Sequence, residues 1–468
     1  IPSGHKVATR PVAAGQPVRR YGQIIGFATV PMGPGDHVHT HNLGFSAYQR
    51  DHDPGVDSHI TLKVPEEGQA TFDGFVRPGG RVGTRNYIGV LTTVNCSATP
   101  ASLVTRNFPV DELARYQNID GLVALTHGTG CGMAGSGDGM DALQRTLWGY
   151  TSHPNFAGVL VIGLGCEAAQ IGFLLDAWGV EPGPHLRTMT IQDLGGTRRT
   201  VDQATEIIGE MLPVANAAAR TPVPASELTL ALQCGGSDAW SGVTANPALG
   251  AAVDRLVAHG GTAILAETPE IYGAEHLLTR RAVSTKVADK LVSRIAWWED
   301  YVGRNHGSMD NNPSPGNKAG GLTTILEKSL GAVAKGGTTN LIDVLDYAEP
   351  ARQKGLVFMD SPGYDPVSVT GQVASGANLI CFTTGRGSCF GFKPAPSLKL
   401  ATNTEMYQHL AEDMDLDCGG ILDGESVDAV GQRIFEMVLA TASGRRSRSE
   451  LLGFGDLEFT PWQIGAVM

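Results

Sequence analysis

The stretch GLVALTHGTGCGM, residues 121–133, decides the fold, because an apolar run ends here in a glycine-rich turn that carries a cysteine. Turns of the same kind follow apolar runs at Cys96, Cys166 and Cys234. Cys96, Cys131 and Cys166 are spaced 35 residues apart, about the length of one strand–turn–helix unit. Since parallel strands end at one edge of a sheet and ligands bind in the crevice there, we expect an α/β fold that gathers these thiols at one site.

The composition limits the classes of protein to consider. The chain of 468 residues predicts roughly three domains, and its hydrophobic fraction of 42% and charged fraction of 18% are typical of a globular protein. The net charge of −12 argues against nucleic acid or an anionic membrane as a partner. Seven cysteines are too few, and odd in number, for a disulfide framework in a chain of this length. We therefore expect reduced thiols and a cytoplasmic protein without a membrane span.

The N-terminal region differs from the rest of the chain. Its short β-like runs separated by glycine predict a small β domain over residues 1–45. Because the chain begins at Ile1 and not at Met, we expect this domain to be incomplete at its N-terminus. Residues 46–72 are polar and lack periodicity, so we interpret them as a linker.

After the linker, apolar runs alternate with amphipathic stretches, the pattern of βαβ units and a parallel sheet. A stretch rich in Ala, Thr and Pro that ends at Pro224 predicts a middle α/β domain at 73–224 and a C-terminal α/β domain at 225–468. Predicted strands end near Val94, Thr126, Ile162 and Ile191 in the middle domain and cover Thr262–Leu265, Leu356–Met359 and Leu379–Phe382 in the last one. Predicted helices cover Asp138–Tyr150, Ala274–Tyr301 and Asp428–Thr441, and another begins at Leu322 after an irregular loop.

The cysteines allow two interpretations. A free thiol is commonly a small buried apolar side chain, and Cys381 and Cys418 fit that description. The four turn cysteines fit it less well, because glycine-rich turns at strand ends are places where ligands bind. They lack the close pairs typical of a structural zinc site, and soft thiolates favour iron or an iron–sulfur cluster.

Three histidines, His37, His39 and His41, alternate at the end of the first domain. On a strand all three point to one face, which suits ligation of a metal ion by imidazole, while a solvent-exposed edge is the alternative. Because this segment adjoins the linker, it could also fold over the edge of a sheet as a lid.

Two glycine-rich turns, at residues 127–132 and 384–388, have the composition of anion-binding loops. Small residues leave backbone N–H groups free to bind a carboxylate, and Arg386 can add two parallel hydrogen bonds. Tight strand–helix turns also require glycine, so a purely structural function is the alternative. The loop at 310–321 contains Lys318, which can bind a carboxylate or act as a base, and a stiff connector with a solvated lysine is the alternative there.

Longer motifs carry a resemblance to a known family. They are GDHVHTHNL, GGRVGTRNY, VNCSAT, THGTGCGM, GLGCE, QCGGSDAWSGVTANPALG, DNNPSPGNKAGGLTTILEKSLGA and FTTGRGS. From His5 to about Gly424 the chain resembles the altronate/galactarate dehydratase family. The HVHTHN segment resembles the altronate branch more than the galactarate branch.

The resemblance implies a small N-terminal SAF-type β-clip domain, followed by two α/β domains with mostly parallel sheets, the last of them Rossmann-like. It implies dehydration of a sugar acid such as D-altronate to a 2-keto-3-deoxy acid. The implied cofactor is Fe²⁺, with an iron–sulfur cluster that has an open iron site, or Mn²⁺, as alternatives. Galactarate as the substrate and elimination of sulfite from sulfolactate are the other activities left open. We expect a sugar acid as the partner and a homodimer as the assembly.

Site residues follow as hypotheses. We expect the metal to be bound by Cys96, Cys131, Cys166 and Cys234, with His39 and His41 as further ligands. The substrate is expected to contact Arg85, Asn86, Asn317, Lys318 and Arg386. Proton transfer is expected from His127, Glu167 and Lys318.

Overall fold

The computed structural model describes residues 1–48 and 50–467. The first domain is built from short antiparallel strands around a small apolar core of Ile25, Met32, Val38 and Leu43. Its strands are β1 (Lys6–Val7), β2 (Pro17–Arg20), β3 (Gln23–Ala28), β4 (His37–Val38) and β5 (Leu43–Gly44). β1 pairs with β4, and β3 lies between β2 and β5. The chain then forms β6 (Thr71–Val76) and β7 (Val82–Gly83), which pair with each other.

The middle domain is a four-stranded parallel sheet with helices packed on both faces. Its strands are β8 (Tyr87–Thr92), β9 (Gly121–Leu125), β10 (Phe156–Gly163) and β11 (Leu186–Thr190). Its helices are α1 (Ala98–Arg106), α2 (Val110–Leu113), α3 (Asp138–Thr151), α4 (Ile171–Trp178) and α5 (Thr197–Asn216). The strand order is β11-β10-β8-β9, so the order reverses between β8 and β10. That pair is the topological switch point of this sheet.

The C-terminal domain is a seven-stranded parallel sheet, and it begins after β12 (Thr221–Pro224) has returned to pair with β6. Its strands are β13 (Thr229–Cys234), β14 (Thr262–Leu265), β15 (Leu341–Leu345), β16 (Leu356–Met359), β17 (Leu379–Thr384), β18 (Ser397–Ala401) and β19 (Leu416–Asp417). Its helices are α6 (Ala245–Ala258), α7 (His276–Thr279), α8 (Thr285–Arg304), α9 (Pro315–Ala319), α10 (Ile325–Ala334), α11 (Asp365–Ala374), α12 (Thr404–His409), α13 (Val427–Ala442) and α14 (Arg448–Leu451). The order β15-β16-β14-β13-β17-β18-β19 places the switch point between β13 and β17.

Continuous apolar runs form these strands because both faces of each sheet are covered. All six residues of β8 and all six of β17 are buried. Such strands lack the polar alternation of a half-exposed sheet. Each buried aliphatic side chain contributes about 1.5–3 kcal/mol relative to an exposed one, so the two sheets provide most of the core.

The two α/β domains pack through α3 and α11. The contact is close at Gly149, where a Cβ atom would lie 2.6 Å from the Cβ of Ala374. One cavity is lined both by Asp138 at the start of α3 and by Asp346 and Asp360, which follow β15 and β16. Since α3 begins at the carboxyl edge of its sheet, the carboxyl edges of both sheets lie on the same side of the molecule. Among residues 1–48 and 50–467, the helices are all too short or too polar to cross a bilayer.

The α/β class and the predicted strands are confirmed, with β14 and β16 at the predicted bounds. The single helix expected over Ala274–Tyr301 is wrong. It is two helices, α7 and α8, because Ser284 caps a new helix by accepting a hydrogen bond from the N–H of Val287. The loop after Asp310 is also more regular than expected, since it contains α9, and the next helix begins at Ile325 and not at Leu322.

Candidate active site

A cluster of buried charged side chains lies at the carboxyl edge of the C-terminal sheet. Cys234 ends β13, and Glu267 and Glu270 follow β14. One ligand atom from each of these three residues lies within 4.8 Å of the other two. The Nζ of Lys335 donates to the Sγ of Cys234 at 3.0 Å, and the Nζ of Lys328 donates to Oε1 of Glu270. The ammonium groups of Lys328, in α10, and Lys335, directly after it, therefore offset the negative charge of the acidic side chains at this end of the sheet.

Burial and mutual charge shift the protonation of this cluster. Burial opposes the charge of Lys328 and Lys335, but the neighbouring acids and Cys234 outweigh it and raise the pKa of both lysines. Burial raises the pKa of the Cys234 thiol, although Lys335 acts in the opposite direction. Burial and the charge of Glu270 raise the pKa of Glu267 well above its usual value. Both lysines thus stay charged, and Glu267 holds a proton far more firmly than a carboxyl group in water.

Glu267 has an unusual backbone conformation. Its φ of +73° lies in the left-handed region, which a residue with a side chain rarely adopts. Both carboxylate oxygens are buried and have no hydrogen-bond partner among the described residues. An unpartnered buried polar group costs about 1–3 kcal/mol. A strained, unsatisfied carboxyl group in this position is the kind of outlier that indicates a functional site.

Asp365 stands at the switch point itself, as the first residue of α11. Its Oδ1 accepts a hydrogen bond from Nε2 of Gln233 at 3.3 Å. Its Oδ2 lies 2.6 Å from where a Cβ of Gly235 would be, so only glycine allows the carboxylate to approach β13 this closely. Burial and the charge of Glu270 raise the pKa of Asp365 to about 6. This group can accept a proton close to neutral pH.

The loop around α9 forms one wall of the crevice and carries two of the predicted residues. Asn317 is buried, and its Nδ2 donates to the carbonyl oxygen of Ser237 at 2.8 Å while its Oδ1 accepts from Ser314. Its amide therefore anchors the loop to the end of β13 and is not free for a ligand. Lys318, the next residue, is half-buried. Asn312 of the same loop donates to Oε1 of Glu270 at 2.7 Å.

Arg386 lies across the switch point from this loop. Its backbone N–H donates to the carbonyl oxygen of Gly236 at 2.9 Å, which ties the turn after β17 to the turn after β13. Its side chain is exposed. The predicted cations Lys318 and Arg386 thus both adjoin the Gly235–Ser237 turn.

The first domain covers this edge of the sheet. Glu327 is buried and accepts hydrogen bonds from Lys6 at 2.8 Å and from Arg20 at 2.7 Å. A cleft between the two domains is lined by Arg20 and Tyr21 on one side and by Cys234 and Lys328 on the other. Binding pockets commonly form at such domain interfaces. Cys234 and Lys328 of the buried cluster therefore lie at the contact with the N-terminal domain.

A second group that could hold a metal ion lies in the N-terminal domain. His5, His37 and His39 each place a ring nitrogen within 4.8 Å of the others. Nδ1 of His5 is 2.9 Å from Nε2 of His37, and Nδ1 of His39 is buried without a partner in the described part of the chain. Burial and the charges of His5 and Lys6 lower the pKa of His39 to about 4, so its imidazole is neutral and available as a ligand. This donor set fits ferrous iron.

The histidines of this group differ from the predicted metal ligands. His39 is in it, whereas His41 is exposed, and its ring centroid lies 5.5 Å from that of His37. His5 takes the third position. The cluster borders the crevice, because a Cβ at Gly321 would lie 3.3 Å from His5 and 2.9 Å from Ala239.

The predicted cysteines fall into two sets. Cys96, Cys131 and Cys166 are exposed at the carboxyl edge of the middle sheet, in turns that contact one another. Cys234 is buried in the C-terminal domain with Lys335. The structure therefore brings three of the four cysteine turns together and places the fourth in a different site.

His127 and Glu167 hold the middle-domain turns in place. Nε2 of His127 lies 2.9 Å from the carbonyl oxygen of Thr92, and its Nδ1 accepts from the N–H of Thr129. Burial lowers the pKa of His127 to about 4. The carboxylate of Glu167 accepts from Thr93 and from the N–H groups of Leu164 and Gly165, and these bonds outweigh burial and lower its pKa. Both ring nitrogens of His127 and both carboxylate oxygens of Glu167 therefore take part in hydrogen bonds within the turns.

Arg85 and Asn86 lie at the wrong edge for the predicted contact with substrate. They precede β8 and are fully buried at its amino end, opposite the turns described above. The guanidinium of Arg85 donates to both carboxylate oxygens of Glu450 and to three backbone carbonyl oxygens. The side-chain amide of Asn86 donates to the carbonyl oxygens of Asn118 and Ala215. Both residues are structural.

Comparison with known proteins agrees with this architecture. Residues 225–467 match the model of the D-galactarate/altronate dehydratase C-terminal domain, residues 74–216 match the second domain of D-galactarate dehydratase/altronate hydrolase, and residues 1–46 match the altronate/galactarate dehydratase SAF domain. The chain belongs to the galactarate/altronate dehydratase family. It is accordingly an enzyme of the hydro-lyase type.

Three relatives indicate the range of this dehydratase family. The chain is 37% identical to galactarate dehydratase (L-threo-forming) of Escherichia coli over 95% of its length and 87% of the relative. It is 34% identical to altronate dehydratase of Bacillus subtilis over 98% of its length and 90% of the relative. It is also 34% identical to the (2R)-sulfolactate sulfo-lyase subunit beta of Chromohalobacter salexigens, over 83% of its length and 97% of the relative.

Several residues of this dehydratase-family site were missed in the sequence. They are His5, Asn312, Glu267, Glu270, Lys328, Lys335 and Asp365. A signal existed for Glu267, which lies two residues after the predicted strand at 262–265, whereas the acid that directly follows 356–359 is Asp360 and not Asp365. No local signal marked Lys328 or Lys335, because they reach the cluster from a helix.

Proposed function

We propose that this chain removes water from a sugar acid such as D-altronate, giving a 2-keto-3-deoxy acid, with the help of a divalent metal ion. The observation that carries the proposal is the position of Asp365, a buried carboxylate that Gln233 and the close approach of Gly235 hold at the end of β13, beside the switch point of the C-terminal sheet. It lies beside the Gly235–Ser237 turn, which Arg386 and the loop that carries Lys318 also contact. This is the arrangement that an elimination next to a carboxylate requires.

The reaction needs a base for the proton on C2 and an acid for the hydroxyl on C3. Asp365 is the base in this proposal, because burial and the charge of Glu270 raise its pKa to about 6 and its carboxylate is held against the end of β13 at Gly235. Lys328 lines the cleft and carries a proton on Nζ, so it is placed to protonate the departing hydroxyl. The enol product then tautomerises to the 2-keto acid.

Two cations hold the substrate in this scheme. The exposed guanidinium of Arg386 can grip the carboxylate through two parallel hydrogen bonds. Lys318 adds a compact positive charge from the opposite wall of the crevice. Fixing the carboxylate places the C2 proton toward Asp365, and this positioning reduces the entropic part of the barrier.

His5, His37 and His39 would hold the metal ion, with Fe²⁺ as the first candidate and Mn²⁺ as the second. A divalent ion there supplies Lewis-acid stabilisation of the negative charge that develops on the substrate carboxylate. The Cys234–Glu267–Glu270 group is the weaker candidate, because Lys335 and Lys328 already bind two of its three members and would repel a cation.

A substrate panel tests the proposed activity. The purified protein, supplied with Fe²⁺ or Mn²⁺ under anaerobic conditions, is assayed with D-altronate, galactarate and sulfolactate. We expect a 2-keto-3-deoxy acid from one of the sugar acids and no sulfite. Release of sulfite from sulfolactate, without turnover of the sugar acids, would overturn the dehydratase proposal and identify a sulfo-lyase.

Two pairs of variants test the residue roles. Asp365→Asn should lower kcat by about 10²–10⁴-fold, as removal of a general base does, while Asp423→Asn on the exposed surface should leave it unchanged. His39→Ala should abolish binding of Fe²⁺ in a titration, while His41→Ala should retain it. Equal iron binding by both histidine variants would show that the ion binds elsewhere.

A further inference from the structure

A cavity of about 430 Å³ lies between the two α/β domains, on the side opposite the candidate active site. Thr229 in its wall is the first residue of β13, Asn378 directly precedes β17, and Lys354 lies two residues before β16. The cavity is therefore at the amino edge of the C-terminal sheet, and we call it the amino-edge cavity. Its volume is within the range of about 300–1,000 Å³ that is typical of small-molecule sites.

Both α/β domains line the amino-edge cavity. The end of α3 and the turn after it contribute Trp148 and Ser152, and the end of α11 contributes Ala374. The close contact between Gly149 of α3 and Ala374 of α11 is part of the cavity wall. A ligand in this cavity would therefore contact both domains at the place where they pack together.

Two buried polar side chains of the wall already have partners within the protein. Nε2 of His153 lies 3.1 Å from the carbonyl oxygen of Ala377, and its Nδ1 accepts from the N–H of Asn155 at 3.1 Å. Burial lowers the pKa of His153 to about 3, and the charge of Arg81 acts in the same direction, so the imidazole is neutral. The side-chain amide of Asn378 donates to two backbone carbonyl oxygens. The charged residues of the wall therefore decide which ligand the cavity prefers.

These charged residues are mostly cations. Arg81, Arg352 and Lys354 line the cavity with three positive charges, and Glu227 supplies one negative charge. The ammonium group of Lys354 donates to the carbonyl oxygen of Ser226, a neutral acceptor that does not compensate its charge. The cavity thus carries an excess of positive charge in a chain whose net charge is −12.

The two arginines lack an anionic partner in the protein. Over residues 1–48 and 50–467, no carboxylate oxygen lies within 4.0 Å of the guanidinium of Arg81 or Arg352. By contrast, the guanidinium of Arg280 pairs with two aspartates. Partial burial lowers the pKa of Arg81, and no carboxylate of the described residues opposes that shift. An anion in the cavity would supply the charge-assisted hydrogen bonds that these two arginines lack.

We propose that the amino-edge cavity binds a small molecule with at least two negative charges, such as a phosphate ester or a polycarboxylate, through Arg81, Arg352 and Lys354. This site is separate from the crevice at the carboxyl edge and does not depend on the proposed dehydration. Because the ligand contacts α3 and α11 together, its binding stabilises the packing of the two α/β domains.

Isothermal titration calorimetry of the full chain tests the proposal. The protein, without added metal ion, is titrated with pyrophosphate, citrate and acetate. We expect a polyanion to bind at one site per chain, more weakly at higher salt, and acetate to bind at least tenfold more weakly than the polyanion. The tighter of pyrophosphate and citrate identifies the phosphate or the carboxylate class. The same polyanion should raise the Tm of the protein.

A double variant, Arg81→Ala with Arg352→Ala, should weaken this binding at least tenfold, because both guanidinium groups lose charge-assisted hydrogen bonds. The matched control, Arg106→Ala with Arg115→Ala, removes the same charge from exposed arginines of the middle domain and should keep the affinity. Arg386→Ala should also keep it, since Arg386 lies at the carboxyl edge.

Far-ultraviolet circular dichroism confirms that each variant is folded. Wild-type protein that binds neither polyanion, or a double variant with undiminished affinity, would overturn the proposal. Loss of binding in Arg386→Ala alone would place the anion in the candidate active site instead. Turnover of sugar acids by the same samples reports separately on the proposed function.

Discussion

The two carboxyl edges of this molecule are built from the same pattern and have opposite surroundings. In each sheet cysteines lie at the carboxyl ends of the strands that form the switch point, Cys96 and Cys166 in the middle domain and Cys234 in the last one. The middle edge leaves its thiols exposed. The C-terminal edge buries Cys234 beneath the N-terminal domain and pairs it with Lys335.

The difference lies in what covers the edge. A thiol in water is free to bind a soft metal, and the buried carboxylate of Glu167 at that edge is satisfied by a hydroxyl and by backbone N–H groups and not by a cation. Under a lid, each acid must be paired or protonated, because a lone ion in the interior costs several kcal/mol. The lysines of the α10 region meet that requirement, and the same burial raises the pKa of Asp365 to about 6. Burial of several acids together thus raises pKa values at the C-terminal edge, whereas the hydrogen bonds to Glu167 lower its pKa at the middle edge.

The largest effect is expected when the positive charge that pairs with a buried carboxylate is removed. Lys328→Met leaves Glu270 as an unpaired buried charge, so we expect a loss of about 3–5 kcal/mol in the free energy of unfolding and no measurable turnover. The control is Lys393→Met, which removes the exposed ion pair with Asp456 and should cost less than about 1 kcal/mol. Denaturant unfolding of both variants checks this, and equal losses would contradict the distinction between the edges.

A second buried ion pair allows an effect on stability to be distinguished from an effect on catalysis. Arg85 and Glu450 pair at the amino edge, far from either switch point, so Glu450→Gln should cost about 3 kcal/mol of stability. At a temperature where the variant is folded, its kcat should equal that of the wild type. A large loss of kcat would show that the amino edge takes part in the reaction.

The same pair predicts a dependence of stability on pH. Burial favours the neutral acid, but the hydrogen bonds from Arg85 outweigh it and hold the pKa of Glu450 below its usual value. The contribution of the pair is therefore fully present above the pKa of the unfolded carboxyl group and is lost as the pH falls through the lower folded value. The stability difference between wild type and Glu450→Gln, measured from pH 7 to pH 3, should shrink in the acidic part of that range.

Uncovering the C-terminal edge is expected to have an intermediate effect. Glu327→Gln weakens the bonds from Lys6 and Arg20 that hold the N-terminal domain over the cleft. We expect a loss of about 1–3 kcal/mol, faster proteolysis within the first domain and lower turnover. The matched change Glu425→Gln, at an exposed pair with Arg433, should leave all three quantities unchanged. Unaltered proteolysis in Glu327→Gln would mean that this pair does not hold the lid.

The smallest effect is expected at the middle edge. Thr93→Val removes one of the bonds to Glu167 but leaves those from Leu164 and Gly165, so the loss should be about 1 kcal/mol. Thermal unfolding measures it. A loss as large as that of Lys328→Met would show that the exposed edge also depends on a compensated charge.

The sequence predicted where strands end better than it predicted which groups surround a residue in the folded protein. Strand ends at 262–265 and 356–359 were read correctly, since an apolar run in a covered parallel sheet leaves a local pattern. Arg85 and Asn86 were misplaced because a residue that precedes a strand lies at the amino edge, opposite the ligand crevice. The prediction of one helix over 274–301 was wrong, because the break depends on a single N-cap, Ser284, within an otherwise helical pattern.

The amino-acid sequence by itself determined the two parallel sheets and the chemistry of the turns at their edges, because periodicity and turn composition act over a few residues. Tertiary structure alone decided which edge is covered. Lys6 and Glu327, 321 residues apart, pair to seat the N-terminal domain over the second edge. Burial and the charge of Glu270 raise the pKa of Glu267 and of Asp365 at that edge, whereas the thiols of the first edge stay exposed. Such contacts produce no pattern in the local sequence, because their partners come from distant parts of the chain.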